Sequence, residues 1–138
     1  MRRRLTKTPD RSRTVRQRGT ALVEFALVVP ILVTLLFGVI EWGRALQTMV
    51  LVTNAAREGA RRGSVGDSDG QVQTTVTNYL QASGLHPGQL ATQISRTTVG
   101  GRPQISVTLT YALDLLLPTM HLVPNPLPVR GNTVMRIE

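Results

Sequence analysis

Apolar and polar residues are sharply segregated along the first third of the chain. A polar stretch occupies residues 1–19, and the twenty residues 21–40 contain a single charged side chain, Glu24. Twenty helical residues span about 30 Å, the thickness of the hydrocarbon core of a bilayer. Pro30 is compatible with a membrane helix, because neighbouring groups can satisfy the backbone that it frees. The pattern therefore predicts a transmembrane helix over residues 20–42.

The residues that flank the apolar run indicate its orientation. Residues 1–19 carry eight basic residues and one acid, whereas only Arg44 follows the run closely. By the positive-inside rule, residues 1–19 form a basic cytoplasmic leader and residues 43–138 form an exported domain. The ring of Trp42 suits the membrane interface and Arg44 can reach the headgroups, so both are predicted interface anchors that contact the lipid bilayer.

The net charge of +8 comes almost entirely from the leader. The remaining residues hold eight basic and seven acidic side chains, so the body of the protein is nearly neutral. A nucleic-acid-binding domain would carry its basic residues on the folded face. We therefore expect no nucleic-acid partner.

The helical pattern continues beyond the apolar run. Small and apolar residues recur at spacings of four, three, four and four, on one face of a helix: Ala45, Met49, Val52, Ala56 and Ala60. Glu58 and Arg62 are placed for an i,i+4 ion pair. Gly63 is a natural helix stop. One continuous helix is predicted from Ala21 to Arg62.

The remaining residues predict a second helix and a small sheet. Ser68 and Gln71 fit a capping box for a helix over 71–83 that Gly84 closes, with Val72, Val76 and Leu80 on its buried face. Strands are predicted over 93–99 and 104–113, joined by a turn at Gly100 and Gly101, with a third over 129–137. The second strand alternates, and its apolar side comprises Ile105, Val107, Leu109, Tyr111 and Leu113. The fold class is α+β: a long N-terminal transmembrane helix continuing into an ectodomain with a second helix and a small antiparallel sheet.

The segment from Leu115 to Pro128 contains four prolines, which exclude a helix interior and a central strand. Its leucines either cover the core or form an exposed docking patch.

Groups that perform chemistry are scarce. The chain has no cysteine, which excludes disulfides, thiolate metal sites and a cysteine nucleophile. Its two histidines, His86 and His121, have no acid at ligand spacing. The run 67–70 does not fit a calcium loop, because the twelfth position is Asn78 rather than an acid. We therefore expect no enzyme, no cofactor and no metal site.

One acid stands inside the apolar run. A carboxylate in a membrane is costly, so Glu24 is a functional candidate. Gly19 precedes it by five residues. If the chain is cut after Gly19, Thr20 becomes a free ammonium four residues from Glu24, and Glu24 of one subunit would meet the Thr20 ammonium of its neighbour. The alternative is that Glu24 merely reaches the cytoplasmic interface.

These residues resemble a known processing signal. Gly19, four residues, Glu24 and then the aromatic Phe25 resemble the type IV prepilin cleavage signature. The longer stretches GTALVEFALVVPILVTLLFGVIEWGRA and NAAREGARRG resemble the TadE-like family over roughly residues 17–63. Several positions carry this resemblance: Gly19, Glu24, Phe25, Pro30, Phe37, Gly38, Glu41, Gly43 and Arg44.

The resemblance implies a function. TadE-like proteins are minor pilin-like proteins of the tight-adherence (Tad, Flp) pilus, and Phe25 in place of tyrosine favours this minor branch over the fibre-forming subunit. Cleavage by a prepilin peptidase after Gly19 is implied, with other pilins and Tad inner-membrane assembly proteins as partners. The implied location is the bacterial cytoplasmic membrane, with a pilin-like exported domain.

The residues by themselves leave a second hypothesis open. An uncleaved single-pass membrane protein, whose extracytoplasmic domain binds a ligand or partner, would have the same apolar run. It leaves the spacing of Gly19 and Glu24 unexplained.

Overall fold

The computed structural model describes residues 11–116 and 125–138, and the chain falls into two units that meet between Val39 and Ile40. Helix α1 (Arg11–Ser64) belongs to both units. It begins ten residues before the predicted start at Ala21, and the predicted continuity of the apolar run with the following helix is confirmed.

The N-terminal unit, Met1–Val39, contains the apolar run. Helix α1 continues through Pro30, and the hydroxyl of Thr34 donates a 2.8 Å hydrogen bond to the Pro30 carbonyl. Among the described residues, one helix is long and apolar enough to cross a membrane, and its apolar part is not buried against the protein. Nearly every apolar side chain of the run is therefore available to lipid or to another protein.

The C-terminal unit, Ile40–Glu138, contains a three-stranded antiparallel sheet. Strand β1 (Leu90–Val99) pairs with β2 (Arg102–Leu113), which pairs with β3 (Leu127–Arg136), in that order. The β1–β2 hairpin was predicted from Gly100 and Gly101, which adopt φ values of 58° and 75°. Pro128 lies in β3, where it is tolerated because β3 is an edge strand.

Helix α2 (Asp69–Ala82) confirms the predicted cap. The Ser68 hydroxyl accepts from the Gln71 backbone N–H at 3.4 Å, and the Gln71 side chain accepts from the Ser68 backbone N–H at 2.9 Å. The helix ends at Ala82, close to Gly84, whose φ is +82°. A short 3₁₀ helix (Pro87–Gln89) leads into β1.

The core lies between the sheet and the two helices. The predicted face of β2 is buried, as are three residues of α2 and the small residues of α1; the fully or nearly fully buried apolar residues are Val52, Ala55, Ala56, Ala60, Val72, Val76, Leu80, Ile105, Val107, Leu109, Tyr111, Leu113 and Val129. These contacts between helices and sheet confirm the α+β fold class.

Two details of α1 differ from the prediction. Met49 is 52% exposed and Thr48 is buried instead, because the buried face rotates slightly from the predicted stripe. Gly63 does not end the helix, which continues to Ser64. An added Cβ at Gly63 would collide with the Cδ1 of Ile105, so this glycine permits close packing of α1 on β2. The chain reverses at Gly66, whose φ is +102°.

Part of the proline-rich segment lies outside the described residues. Leu116 is 53% exposed, whereas residues 117–124, including His121, are not described. Among the described leucines of this segment, Leu127 packs against the core, Leu115 is half-buried and Leu116 is exposed.

Candidate processing and assembly site

The predicted processing residues lie on one exposed stretch of α1. Gly19, Thr20, Glu24 and Phe25 are all exposed, with Phe25 at 67%. A Cβ added to Gly19 would meet no atom within 4 Å. The peptide bond that the prepilin signature predicts to be cut is therefore uncovered by the described part of the protein.

Thr20 and Glu24 share a face of the helix. Residues four apart lie on neighbouring turns, separated by about 6 Å along the axis. Glu24 forms no ion pair with any side chain described among residues 19–116 and 125–138.

The predicted interface anchors lie at the beginning of the C-terminal unit. Trp42 is 70% exposed. The Arg44 guanidinium is instead engaged within the unit, because its Nη1 donates to the Glu41 carboxylate at 3.1 Å and its Nη2 approaches the Asp114 carbonyl at 3.5 Å. The contact of Trp42 and Arg44 with lipid remains a prediction.

Glu41 joins the helix to the segment that follows β2. Its Oε1 accepts from Arg44, and its Oε2 accepts from the Leu116 backbone N–H at 3.1 Å. We call Glu41, Arg44, Asp114 and Leu116 the Glu41 clasp. Sequence reasoning noted Glu41 only as a family position and missed its partners, because Leu116 lies 75 residues away.

Further hydrogen bonds extend from the clasp towards β1. The Asp114 carboxylate accepts from the Gln89 amide nitrogen, and the Gln89 amide oxygen accepts from the Tyr111 hydroxyl at 2.7 Å. That hydroxyl accepts from the His86 backbone N–H at 3.2 Å. The polar groups at this end are therefore used to hold the turn before β1, and the described residues contain no cluster of three potential metal ligands.

A second charged group lies near the end of α1. Two guanidinium nitrogens of Arg61 donate to the Glu58 carboxylate, at 2.6 and 2.9 Å, and the Arg62 Nε lies 3.6 Å away. The bonds from Arg61 hold the pKa of the Glu58 carboxyl below its usual range. The predicted pair of Glu58 with Arg62 is present, but Arg61 is the stronger partner.

The run 67–70, which does not fit a calcium loop, contacts an arginine instead. Asp69 accepts from the Arg96 Nε at 2.9 Å, and the Asp67 carbonyl accepts from Arg96 Nη2 at 2.7 Å. The acid and carbonyl of this loop therefore hold an arginine of β1, which sequence reasoning did not single out.

Comparison with protein-family models gives a match to the family described as TadE-like protein, over residues 19–61. Residues 19–61 are a TadE-like segment. Comparison with curated proteins and comparison with solved structures each gave no significant match. The family is pilus-associated, and the match over residues 19–61 together with the apolar N-terminal helix indicates a Tad pilus association and a membrane location.

The TadE-like segment lies entirely on α1. It begins at Gly19 and includes Glu24, the helical half of the Glu41 clasp, and the Glu58–Arg61 pair. The segment thus contains both the exposed apolar run and the face of α1 that packs on the sheet. The Gln89 network and the sheet fall outside it.

Proposed function

We propose that the protein is a minor pilin-like component of a Tad-type (Flp) pilus or a related secretion apparatus, and that a prepilin peptidase cuts it after Gly19. The observation that carries the proposal is the start of the TadE-like segment at Gly19, five residues before the only charge in the apolar run. The uncovered Gly19–Thr20 bond supports the same conclusion.

Each processing residue has a chemical role in this proposal. Gly19 leaves room for the peptidase at the residue before the cut, and Thr20 provides the new terminal ammonium. Glu24 sets subunit register by meeting such an ammonium in the assembled fibre, since a carboxylate in an apolar environment is stabilised by an opposite charge. Phe25 completes the signature recognised by the peptidase.

Topology and partners follow from the charge distribution. The basic leader remains in the cytoplasm, the run over 20–42 spans the cytoplasmic membrane, and residues 43–138 are exported to the periplasm or the cell exterior. Other pilins and Tad inner-membrane assembly proteins contact the processed chain. The protein is a substrate of an enzyme, with no catalytic role of its own.

The N-terminus of the protein isolated from its native membrane tests the proposal. Intact mass and N-terminal sequencing are expected to show a chain that starts at Thr20. Gly19→Leu is expected to retain the leader, because the larger side chain obstructs the peptidase. Gly38→Leu is the matched control, since an added Cβ also meets nothing within 4 Å there, and it is expected to be processed normally.

A wild-type chain that still carries residues 1–19 would contradict the proposal. Such a chain would favour the hypothesis of an uncleaved single-pass protein. The next measurement would then identify the ligand or partner that residues 45–138 bind.

A further inference from the structure

One end of the C-terminal unit presents an exposed apolar surface. Trp42, Leu46 and Met49 are 70%, 49% and 52% exposed, and their spacings of four and three place them on one face of α1. Further along the helix, Ala56 and Ala60 lie on the same face and are fully buried, so the face is exposed only near the start of the C-terminal unit.

Strand β3 completes this surface. A cavity of about 280 Å³ lies between α1 and the start of β3, lined mainly by Trp42, Leu46, Met49, Leu127, Pro128 and Val129. Its lining is almost wholly apolar. Helix and strand therefore form one continuous apolar groove.

The Glu41 clasp places another leucine at the same end. The Leu116 backbone N–H is bonded to Glu41, one residue before Trp42, and the Leu116 side chain is 53% exposed. We call Trp42, Leu46, Met49, Leu116, Leu127 and Pro128 the proximal patch. The clasp also satisfies both carboxylate oxygens of Glu41, while Asp114 accepts from Gln89, so the acids beside the patch have partners.

The opposite end of the unit has a different character. There the β1–β2 turn at Gly100 and Gly101 lies with the Arg96–Asp69 pair and the exposed Arg102. Val65 and Val99 are exposed at that end, but charged residues accompany them. The apolar groove between α1 and β3 therefore lies at the proximal end of the C-terminal unit, away from these charged residues.

Chain continuity places the proximal patch beside the membrane. Ile40 is the last residue of the apolar run and the first of the C-terminal unit. At 1.5 Å per residue, Trp42, Leu46 and Met49 follow Ile40 by about 3, 9 and 13 Å along the helix. The headgroup region is about 5–8 Å thick on each side, and interfacial helices bury their apolar faces about 5–10 Å deep.

We propose that the proximal patch is a lipid-binding surface, which seats the C-terminal unit on the headgroup region of the leaflet from which α1 emerges. The bilayer is the occupant, because the patch begins at Trp42, two residues after the apolar run ends at Ile40. In this arrangement the Trp42 side chain lies deepest in the leaflet, Leu46 lies less deep and Met49 lies nearest the aqueous phase. This inference rests on the membrane location alone and holds whether or not the chain is cut after Gly19.

The test uses the full chain, which has no cysteine, so that one introduced cysteine gives one labelling site. Leu46→Cys, Leu116→Cys and Leu127→Cys probe the patch, and Thr98→Cys and Gln73→Cys are exposed controls on β1 and α2. Each variant carries a bimane label and is reconstituted in vesicles of phosphatidylethanolamine and phosphatidylglycerol. Replacing part of the lipid with phospholipid brominated near the headgroup is expected to quench the three patch labels and leave both controls unchanged.

A second variant examines the clasp. Glu41→Ala removes the acceptor of the Leu116 N–H. Combined with labelled Leu116→Cys, it is expected to lower bromolipid quenching. Combined with labelled Leu46→Cys, it is expected to leave the quenching in place. Equal quenching at 116 with and without Glu41 would overturn the role of the clasp.

Two results would overturn the lipid surface itself. One is the absence of bromolipid quenching at all three patch positions. The other is efficient disulfide formation between two copies of the unlabelled Leu46→Cys chain in vesicles, which would identify the occupant as a second copy. Absence of quenching refutes only the lipid surface, because the vesicles contain no peptidase. The processing proposal is tested separately, by the N-terminus of the protein from its native membrane.

Discussion

Arg96 of β1 donates from its Nε to the Asp69 carboxylate across 2.9 Å, at the start of α2. The same guanidinium donates to the carbonyls of Asp67, at 2.7 Å, and Gly63, at 3.3 Å. The carbonyls in the last turn of a helix have no partner within the helix, so Arg96 satisfies one of them while it fixes the loop between α1 and α2. One side chain thus connects the two helices with the sheet.

Replacing this arginine is expected to destabilise the C-terminal unit. Arg96→Ala removes three hydrogen bonds from a partly exposed site, with an expected loss of about 1–2 kcal/mol. Arg102→Ala is the control, because Arg102 is exposed and forms no ion pair with the described side chains, and a change within about 0.5 kcal/mol is expected. Hydrogen exchange of the core amides of β2 measures both. Equal effects of the two variants would show that the contacts of Arg96 add nothing to the stability of the C-terminal unit.

Glycines on α1 differ in the space around them, and this difference is testable. Gly63→Ala places a Cβ against Ile105 and is expected to cost about 1–3 kcal/mol through overpacking. Gly43→Ala places its Cβ in open space and is expected to stabilise the helix by about 0.5–1 kcal/mol. Thermal unfolding of the full chain in detergent measures both changes. Stabilisation by Gly63→Ala would contradict the close packing of α1 on β2.

Local patterns were sufficient to predict most of the fold. The α2 cap depends on Ser68 and Gln71, three residues apart, and the buried face of β2 follows from strict alternation. The role of Gly63 could not be predicted, since it depends on Ile105, whose position is known only once the sheet has formed. The exposure of Met49 was missed for the same reason, because β3 determines which face of the helix is covered.

The same distinction applies to the candidate site: its local features were predicted, and a contact between distant residues was missed. Gly19 and Glu24 were identified from spacing and from the resemblance, and the TadE-like match begins at Gly19. The Glu41 clasp was missed, because Glu41 and Leu116 are 75 residues apart and the interaction uses a backbone N–H that carries no sequence signal. Physical reasoning alone left the partner of Glu24 undecided, because the proposed partner, a terminal ammonium at Thr20, would exist only after cleavage.

The Glu58–Arg61 pair predicts a pH-dependent contribution to stability. The pKa of Glu58 is lowered in the folded state by its hydrogen bonds from Arg61. The contribution is therefore fully present above the unfolded value of about 4.3 and is lost as the pH falls through the lower folded value. Because the pair is largely exposed to solvent, its contribution is expected to be small.

Glu58→Gln provides the measurement. The variant is expected to unfold at a slightly lower temperature than the wild type at pH 7, and the difference is expected to shrink as the pH falls through the lowered pKa of Glu58. High salt is expected to reduce the difference at pH 7. Glu138→Gln is the control, since Glu138 forms no ion pair with the described side chains. A difference between wild type and Glu58→Gln that does not shrink as the pH is lowered would exclude this ion pair as its cause.

Glu24→Ala is expected to separate membrane insertion from assembly. Removing a carboxylate from the apolar run lowers the cost of inserting the helix, so the amount of protein in the membrane should not fall. Assembly is expected to be lost, because the Thr20 ammonium of a neighbouring subunit would be left without its counter-charge in an apolar environment. Leu27→Ala is the matched control, as Leu27 is 69% exposed on the same helix and carries no charge.

The readouts for Glu24→Ala are the amount of chain in the membrane fraction and the amount of pilus sheared from the cells. Loss of the pilus with normal membrane content would support a register role, whereas loss of both would indicate an insertion defect. Normal piliation by Glu24→Ala would remove the register role and leave Glu24 as a group that only reaches the interface. Glu24→Gln distinguishes charge from shape: because glutamine keeps the size of the side chain but cannot pair with an ammonium as an anion, it is expected to behave as alanine does.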